Sequence, residues 1–436
     1  MYNEDIRLAI DVGSSKVCSV VIRRDNFNEP EMLAIDVLPS ESIHDGDVMN
    51  TSEATAAVRA SVSEVSKQCS LNFTKGYVGF GGKHVNSYTG WGRVSGFDFA
   101  SGVIEEDIVQ AVRLAASERV EATDHLLYAT PTAYRVDDGT EFRKPPIGMH
   151  PESLEVQALL VVSDMQHYRT VFDAVSNAGI TPIHGGSTLV AEAEHLLSSY
   201  ERDAGVVLID IGGSDTEIAI YNHGRAMVFN SLPIGGFHFT NDIAYAYELP
   251  FENAEAVKIS AGTLVGDTVG FDDEIDPTAL TGSERVIDVE RSLTRVSVSN
   301  LLRDRASETM DLYKSRIAQV SGLPDTDFLT VVFTGGGSKL TGIETYAKLN
   351  MGLRGRVEVR KPTGIKSLPD DVSDPSMSGA ICMALRALDR IERDNHVERK
   401  PITVVHTNSD GAESPQHTNG SENEGVGAKI RSLLGR

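Results

Sequence analysis

Val206–Tyr221, VVLIDIGGSDTEIAIY, is the stretch whose reading decides the fold. An apolar run ends in Asp-Ile-Gly-Gly-Ser-Asp and a second β-patterned run follows, which reads as strand, tight turn, strand. The same figure occurs once before, at Leu8–Ile22, LAIDVGSSKVCSVVI, again with an Asp closing the first strand and small residues in the turn. One copy alone is an ordinary hairpin, since Asp and Gly are common turn residues. Two copies, about two hundred residues apart, are what a protein needs to grip a chain of phosphates from both sides.

Phosphate binding requires backbone N–H groups converging on one point and side chains small enough for close approach. Gly13, Ser14 and Ser15 in the first turn and Gly212, Gly213 and Ser214 in the second supply both, with hydroxyls as extra donors; Lys16 adds a positive charge. Asp11 and Asp210 at the strand ends are placed to hold Mg²⁺ through its waters. A third apolar run, Phe328–Thr334, ends in Gly335-Gly336-Gly337-Ser338, where a base or ribose could lie against bare backbone. Three such turns, each after an apolar strand, point to a split nucleotide site.

Composition is compatible with this. The chain has 436 residues, enough for two or more cored domains, and 40% hydrophobic and 24% charged residues, as in a soluble globular protein. No window approaches a transmembrane span, and MYNEDIRLAIDVG does not read as a signal peptide. Cys18, Cys69 and Cys382 lack metal spacing and read as buried free thiols of a reducing compartment. A net charge of −23 argues against nucleic acid and against adhesion of the body to anionic lipid. Any membrane contact falls to a local basic element.

Along the chain, Glu31–Leu38 reads as a strand, Thr51–Cys69 as a helix with Ala54, Val58, Val62, Val65 and Cys69 on one face, and Tyr77–Gly82 as a short strand. Residues 83–164 change character: a Ser/Gly-rich strand, a helix at Glu105–Ala122, then strands at His125–Arg135 and Ser153–Val162 form a unit that reads as an insertion. Asp164 caps a helix that Gly179 stops. Helices are expected at Thr188–Tyr200, Phe239–Tyr247, Asn253–Gly262, Ser283–Val320 (in pieces) and Pro375–Arg393, interrupted near Gly379, with a strand at Arg225–Leu232.

The order IDVGSSK, IDIGGSDTEIAIY, VVFTGGGSKLTGI resembles the actin/heat-shock-chaperone/sugar-kinase ATPase superfamily, and within it the bacterial cell-division family FtsA. The likeness runs from about Leu8 to Ala387 and again at the C-terminus; LPIGGFHFTNDIA from Leu232 is among its more specific pieces. It implies an α/β, actin-like two-domain ATPase fold with an inserted α+β subdomain in the first domain, plus a disordered linker and a C-terminal amphipathic helix. The domains it implies are 1–82 with 165–202 (375–395 returning to them), the insertion at 83–164, a second domain at 203–374, a linker at 396–424 and a membrane-targeting helix at 425–436.

By the same resemblance Glu255 and Lys258 match ribose-contacting residues, and Glu194 falls near a water-positioning polar residue, joining Asp11 and Asp210 as candidate catalytic groups. The implied function is an ATP-binding, filament-forming adaptor that recruits the FtsZ ring, through an FtsZ peptide, to the inner face of the cytoplasmic membrane, with slow or negligible turnover. One departure stands out: the family usually has Gly-Gly-Gly-Thr-Thr-Asp where this chain has Gly212-Gly213-Ser214-Asp215-Thr216-Glu217. Asp215 points away from the triphosphate, or pairs with Lys16 or Mg²⁺, or weakens nucleotide binding, since like charges there cost up to several kcal/mol.

The segment 406–425, HTNSDGAESPQHTNGSENEG, has no Val, Ile, Leu, Phe or Tyr and reads as a linker of roughly 25 Å reach. Beyond it, Val426, Ile430, Leu433 and Leu434 share an arc of about 100° flanked by Lys429, Arg431 and Arg436, the layout of an interfacial helix on anionic lipid. Two other readings stay open: a PilM-like pilus-assembly adaptor of the same fold, or a small-molecule kinase with Asp210 or Glu194 as base. Arg295, Arg303 and Arg305 could attract an acidic peptide, or be solvated helix charges.

Overall fold

Two five-stranded sheets of the same connectivity grow from the two Asp-ended hairpins. The computed structural model describes residues 6–40, 43–44, 47–265, 273–281, 293–320, 323 and 329–390. The linker and the tail helix with Val426, Lys429, Ile430, Arg431, Leu433 and Leu434 lie outside the described residues.

In the first sheet β1 (Ile6–Val12) and β2 (Lys16–Arg24) pair antiparallel with Asp11 opposite Cys18, and β3 (Pro30–Pro39) adds antiparallel to β2. A short pair, β4 (Ile43–His44) with β5 (Asp47–Val48), precedes α1 (Thr51–Cys69). Asn50 caps α1 by accepting from the Ser52 and Glu53 amides, and the helix buries Ala54, Val58, Val62 and Val65 as its period predicts. Strand β6 (Lys75–Phe80) then lies parallel to β1.

Residues Tyr88–Val162 form a unit of their own. Strands β7 (Val85–Ser95), β8 (Asp124–Val136) and β9 (Ser153–Asp164) make a sheet of order β7-β9-β8, and α2 (Glu105–Arg119) contributes Ile108, Val109, Val112 and Ala116 to the core they share.

After it, Asp164 caps α3 (Met165–Asn177) by accepting from the His167 amide, and β10 (Thr181–Ser187) completes the first sheet parallel to β6, in the order β10-β6-β1-β2-β3. The helix expected at Thr188–Tyr200 is two: α4 (Thr188–Leu196) and α5 (Ser199–Ala204), because Leu197 is extended and Ser198 starts a new capping box with Glu201.

The second sheet repeats the first. Strands β11 (Val206–Ile211), β12 (Thr216–Asn222) and β13 (Arg225–Leu232) pair antiparallel in succession. Helices α6 (Gly236–Tyr247), α7 (Phe251–Ala261), α8 (Pro277–Thr281) and α9 (Arg295–Ala318) follow. Within the stretch read as Ser283–Val320 the described helix is one unbroken rod from Arg295. Strand β14 (Thr330–Thr334), α10 (Ile343–Asn350) and β15 (Val357–Val359) close the sheet in the order β13-β12-β11-β14-β15, with β14 and β15 parallel to β11.

The last helix, α11 (Ser378–Asp389), returns to the first sheet and packs on β1, β2 and α4. Gly379 does not interrupt it; Pro375–Met377 form a separate 3-10 turn, and Gly379 sits in the first turn of α11. Cys18 and Cys382 are buried free thiols, whereas Cys69, at the end of α1, is half-buried. Among the described residues no helix is long and apolar enough to cross a membrane.

Candidate functional site

The central strands β1, β11 and β14 run into turns that line one cavity of about 470 Å³. The two hairpin turns close identically: the Gly13 amide donates to the Lys16 carbonyl at 3.0 Å, and the Gly212 amide to the Asp215 carbonyl at 2.9 Å. The second turn is also tied to the start of α6, whose Gly236 and Phe237 amides donate to the Gly212 and Gly213 carbonyls at 2.9 and 2.8 Å. In a trans peptide the C=O and the following N–H point in opposite directions, so this tie turns the Gly213 and Ser214 amides away from α6. Fixed backbone donors of this kind make an anion-binding turn.

Asp11, Gly13, Ser14, Ser15, Lys16, Asp210, Gly212, Gly213, Glu255, Lys258, Gly335, Gly336 and Gly337, all singled out in the sequence, line this cavity. Three others do not. Ser214 is buried at 5% exposure beneath its turn. The Ser338 hydroxyl donates to the Gly335 carbonyl at 2.7 Å inside the 3-10 turn Gly336–Lys339. Glu194 faces away, with Oε2 3.4 Å from Arg386 Nε. Two positions along a helix rotate a side chain by about 200°, so it is Glu192, at 1% exposure, that α4 turns into the cavity.

The cavity collects acids. In the β11–β12 hairpin Asp210 stands directly opposite Glu217, so both carboxylates share a sheet face, and Asp11 and Glu192 approach from the first sheet and α4. Burial pushes the Asp11 carboxyl up to about 7, with Lys16 opposing and Asp210 reinforcing the shift. Burial likewise pushes Asp210 up to about 6 against the pull of Lys16. Glu192 and Glu217 rise well above the usual carboxylate range, first through burial and then through the neighbouring acids. Such a group of buried acids suits a hard cation, and Asp11 and Asp210 are the residues that could hold hydrated Mg²⁺.

Asp215 has a definite place. It lines the cavity, and a β-carbon on Gly82 would lie 2.5 Å from its Oδ2, so the carboxylate is folded against the Gly81–Gly82 turn. Gly82 has φ +95, which only glycine adopts freely. At the other end, Lys258 Nζ lies 2.7 Å from Glu255 Oε2 and donates to the Gly236 carbonyl at 3.0 Å and Thr240 Oγ1 at 2.7 Å. Burial lowers the pKa of Lys258, and Glu255 opposes that shift. Phe237, Ile259 and Leu340 give this end apolar walls beside the Gly335–Gly337 backbone. The Arg305 guanidinium is engaged within the protein, donating to both Asp242 oxygens at 2.6 and 2.7 Å.

Sequence reading missed Glu192 and Glu217. The pairing register of the hairpin holds the signal for Glu217, seven residues after Asp210 across a tight turn. Glu192 had no such signal, since the rotational phase of α4 depends on its packing.

Two family models match: one described as cell division protein FtsA over residues 207–382, and one described as the SHS2 domain inserted in FtsA over residues 82–162. The cell division protein FtsA of Escherichia coli (strain K12) is 24% identical over 380 residues, covering 86% of this chain and 88% of that protein. The cell division protein FtsA of Pseudomonas aeruginosa is 26% identical over 383 residues, covering 88% and 89%. Among solved structures, a PilM–PilN type IV pilus biogenesis complex superposes with a TM-score of 0.59 at 18% identity, covering 88% of this chain and 98% of that one, a likeness of fold.

Proposed function

Because the chain belongs to the FtsA family of cell division proteins, we propose that it is an ATP- and Mg²⁺-binding, filament-forming adaptor that tethers the FtsZ ring to the cytoplasmic face of the membrane at the division site. The observation that carries the nucleotide part is the duplicated hairpin. Asp11 and Asp210, at equivalent positions in two sheets of one connectivity, line a single cavity with Lys16 and three glycine turns.

In this reading the turns at Gly13–Ser15 and Gly212–Gly213 hold the phosphates, Glu255 and Lys258 meet the ribose, and the Gly335–Gly337 backbone borders the base. Bound Mg²⁺ supplies positive charge against the phosphates; Asp11 and Asp210 orient its waters, and Lys16 offsets the remaining negative charge. The actin-like domains are then 1–82 with 165–202 and 203–374; the packing of α11 on β1 and β2 supports the return of 375–395 to the first. The family matches, including one to the inserted domain, favour this reading over a pilus adaptor.

Attachment rests on the tail. Four partly inserted apolar side chains provide about 4–6 kcal/mol before ordering costs, and three cations about 1 kcal/mol each near anionic lipid. A twelve-residue helix unstable in water loses much of that on folding, so a single tail binds weakly and several tails held in one filament bind by avidity. The test is liposome co-sedimentation against protein concentration with ATP and Mg²⁺. Steep, cooperative binding is expected; simple hyperbolic binding by assembly-deficient monomers would contradict it.

A further inference from the structure

We propose that Asp47, His84 and His167 form a binding site for a borderline divalent transition metal, with Zn²⁺ the best fit. One ligand atom from each lies within 4.8 Å of the other two. Asp47 stands on β5, His84 in the link between β6 and β7, and His167 in the first turn of α3, so the site ties three separate elements of one unit. It uses none of the residues assigned to phosphate or Mg²⁺, although His167 also lines the cavity described above.

The decisive observation is His167. Its residue is 7% exposed, and its Nε2 is buried without a hydrogen-bond partner. Leaving a buried polar atom without a partner is costly, and a ring nitrogen of His167 lies beside a cluster that supplies two further ligands. Its ring stacks on His84 with centroids 4.5 Å apart and meets Phe80 in a T-shaped arrangement with centroids 5.6 Å apart.

The remaining donors are arranged as such a site needs. His84 Nε2 is 2.6 Å from Asp47 Oδ1, while Lys83 Nζ holds the other oxygen, Oδ2, at 2.7 Å. A metal held by these side chains would replace the His84–Asp47 hydrogen bond, and Lys83 would remain as the outer partner that orients the carboxylate, a common support for metal-bound carboxylates. Both histidine backbones are pinned: the Asp164 amide donates to the His84 carbonyl at 3.1 Å, and Asp164 Oδ1 accepts from the His167 amide at 2.9 Å. Two imidazoles and one carboxylate are a ligand set of zinc sites that leave the fourth position to water.

The experiment is titration of the metal-stripped full chain with ZnCl2, followed by calorimetry and by competition with a chromophoric chelator. One equivalent is expected to bind, with affinity reduced at least about tenfold in His84→Ala, His167→Ala and Asp47→Asn. Co²⁺ in place of Zn²⁺ should give a visible absorption band of a low-coordinate site that is lost in the same variants. If His167→Ala fails to fold, the more exposed Asp47→Asn and His84→Ala carry the test alone. Zn²⁺ affinity unchanged in those two variants would overturn the proposal, because histidines elsewhere, such as His406 and His417, would then be the ligands; so would the absence of any stoichiometric binding.

Discussion

Oδ1 of Asp210 occupies the space that a β-carbon on Gly335 would need, and Gly335 holds a backbone φ of +81. The carboxylate at the end of β11 and the glycine turn after β14 are therefore fitted to one another across neighbouring parallel strands. Gly335→Ala meets a steric overlap and a left-handed backbone together, which costs about 1–3 kcal/mol. It should also displace Asp210 and lower Mg²⁺-dependent ATP affinity at least about tenfold. Gly336→Ala meets only Ser376 Cβ, at 3.6 Å, and should leave the melting temperature unchanged. Thermal melts and binding of a fluorescent ATP analogue check both.

Asp215 is folded against Gly82 and lines the cleft. Asp215→Asn removes a like charge from the phosphate turn while preserving shape, which at about 1 kcal/mol should tighten ATP binding about fivefold. Weaker binding in this variant would mean that Asp215 acts with the cation instead of opposing the phosphates. Equilibrium titration with and without Mg²⁺ separates the two.

Glu192 and Glu194 should part company on substitution. Burial and the neighbouring acids push the Glu192 carboxyl well above the usual carboxylate range, so Glu192→Gln should change the melting temperature little yet alter Mg²⁺-dependent nucleotide binding. Glu194→Gln disturbs the contact with Arg386, itself 5% exposed, and should cost about 2 kcal/mol of stability with ATP affinity intact. Paired melts and binding isotherms of the two variants make the comparison.

Glu201 supplies a pH signature. Arg360 donates to both its oxygens, at 2.7 and 3.0 Å, Arg356 pairs with it as well, and its carboxyl is pushed down to about 2, first by the Arg360 hydrogen bonds. A folded-state pKa below the unfolded value contributes stability that is full above about 4.5 and is lost as pH falls toward 2. Glu201→Gln should therefore destabilise by about 2 kcal/mol at pH 7, and the deficit should shrink in the acid range. Denaturant unfolding at pH 7, 4 and 3 measures it.

Much of this was legible in the chain. The turns after β1 and β11 are marked by Asp and Gly and the turn after β14 by Gly at the ends of apolar runs, and the period of Ala54, Val58, Val62 and Val65 marked the buried face of α1, though Cys69, read on the same face, is half-buried. The segments that escaped reading lack such periodicity: β10 is Thr-Pro-Ile-His-Gly-Gly-Ser, whose strand geometry comes from pairing with β6, and β15 is three residues long. In the cleft, backbone-bearing positions were legible because glycine turns are local. Glu192 was not, because a helix's rotation about its axis is set by packing against distant chain, and Ser338 was not, because its hydroxyl closes its own turn.

The central claim, that a nucleotide-loaded chain bridges FtsZ and membrane, is tested most directly by flotation of anionic liposomes with purified protein, ATP, Mg²⁺ and FtsZ. The account predicts that FtsZ floats with the liposomes only when this protein and ATP are present. It also predicts that Ile430→Glu with Leu433→Glu abolishes flotation while ATP binding persists. FtsZ remaining at the bottom of the gradient while the wild-type protein floats, or floating unchanged with the tail variant, would contradict it.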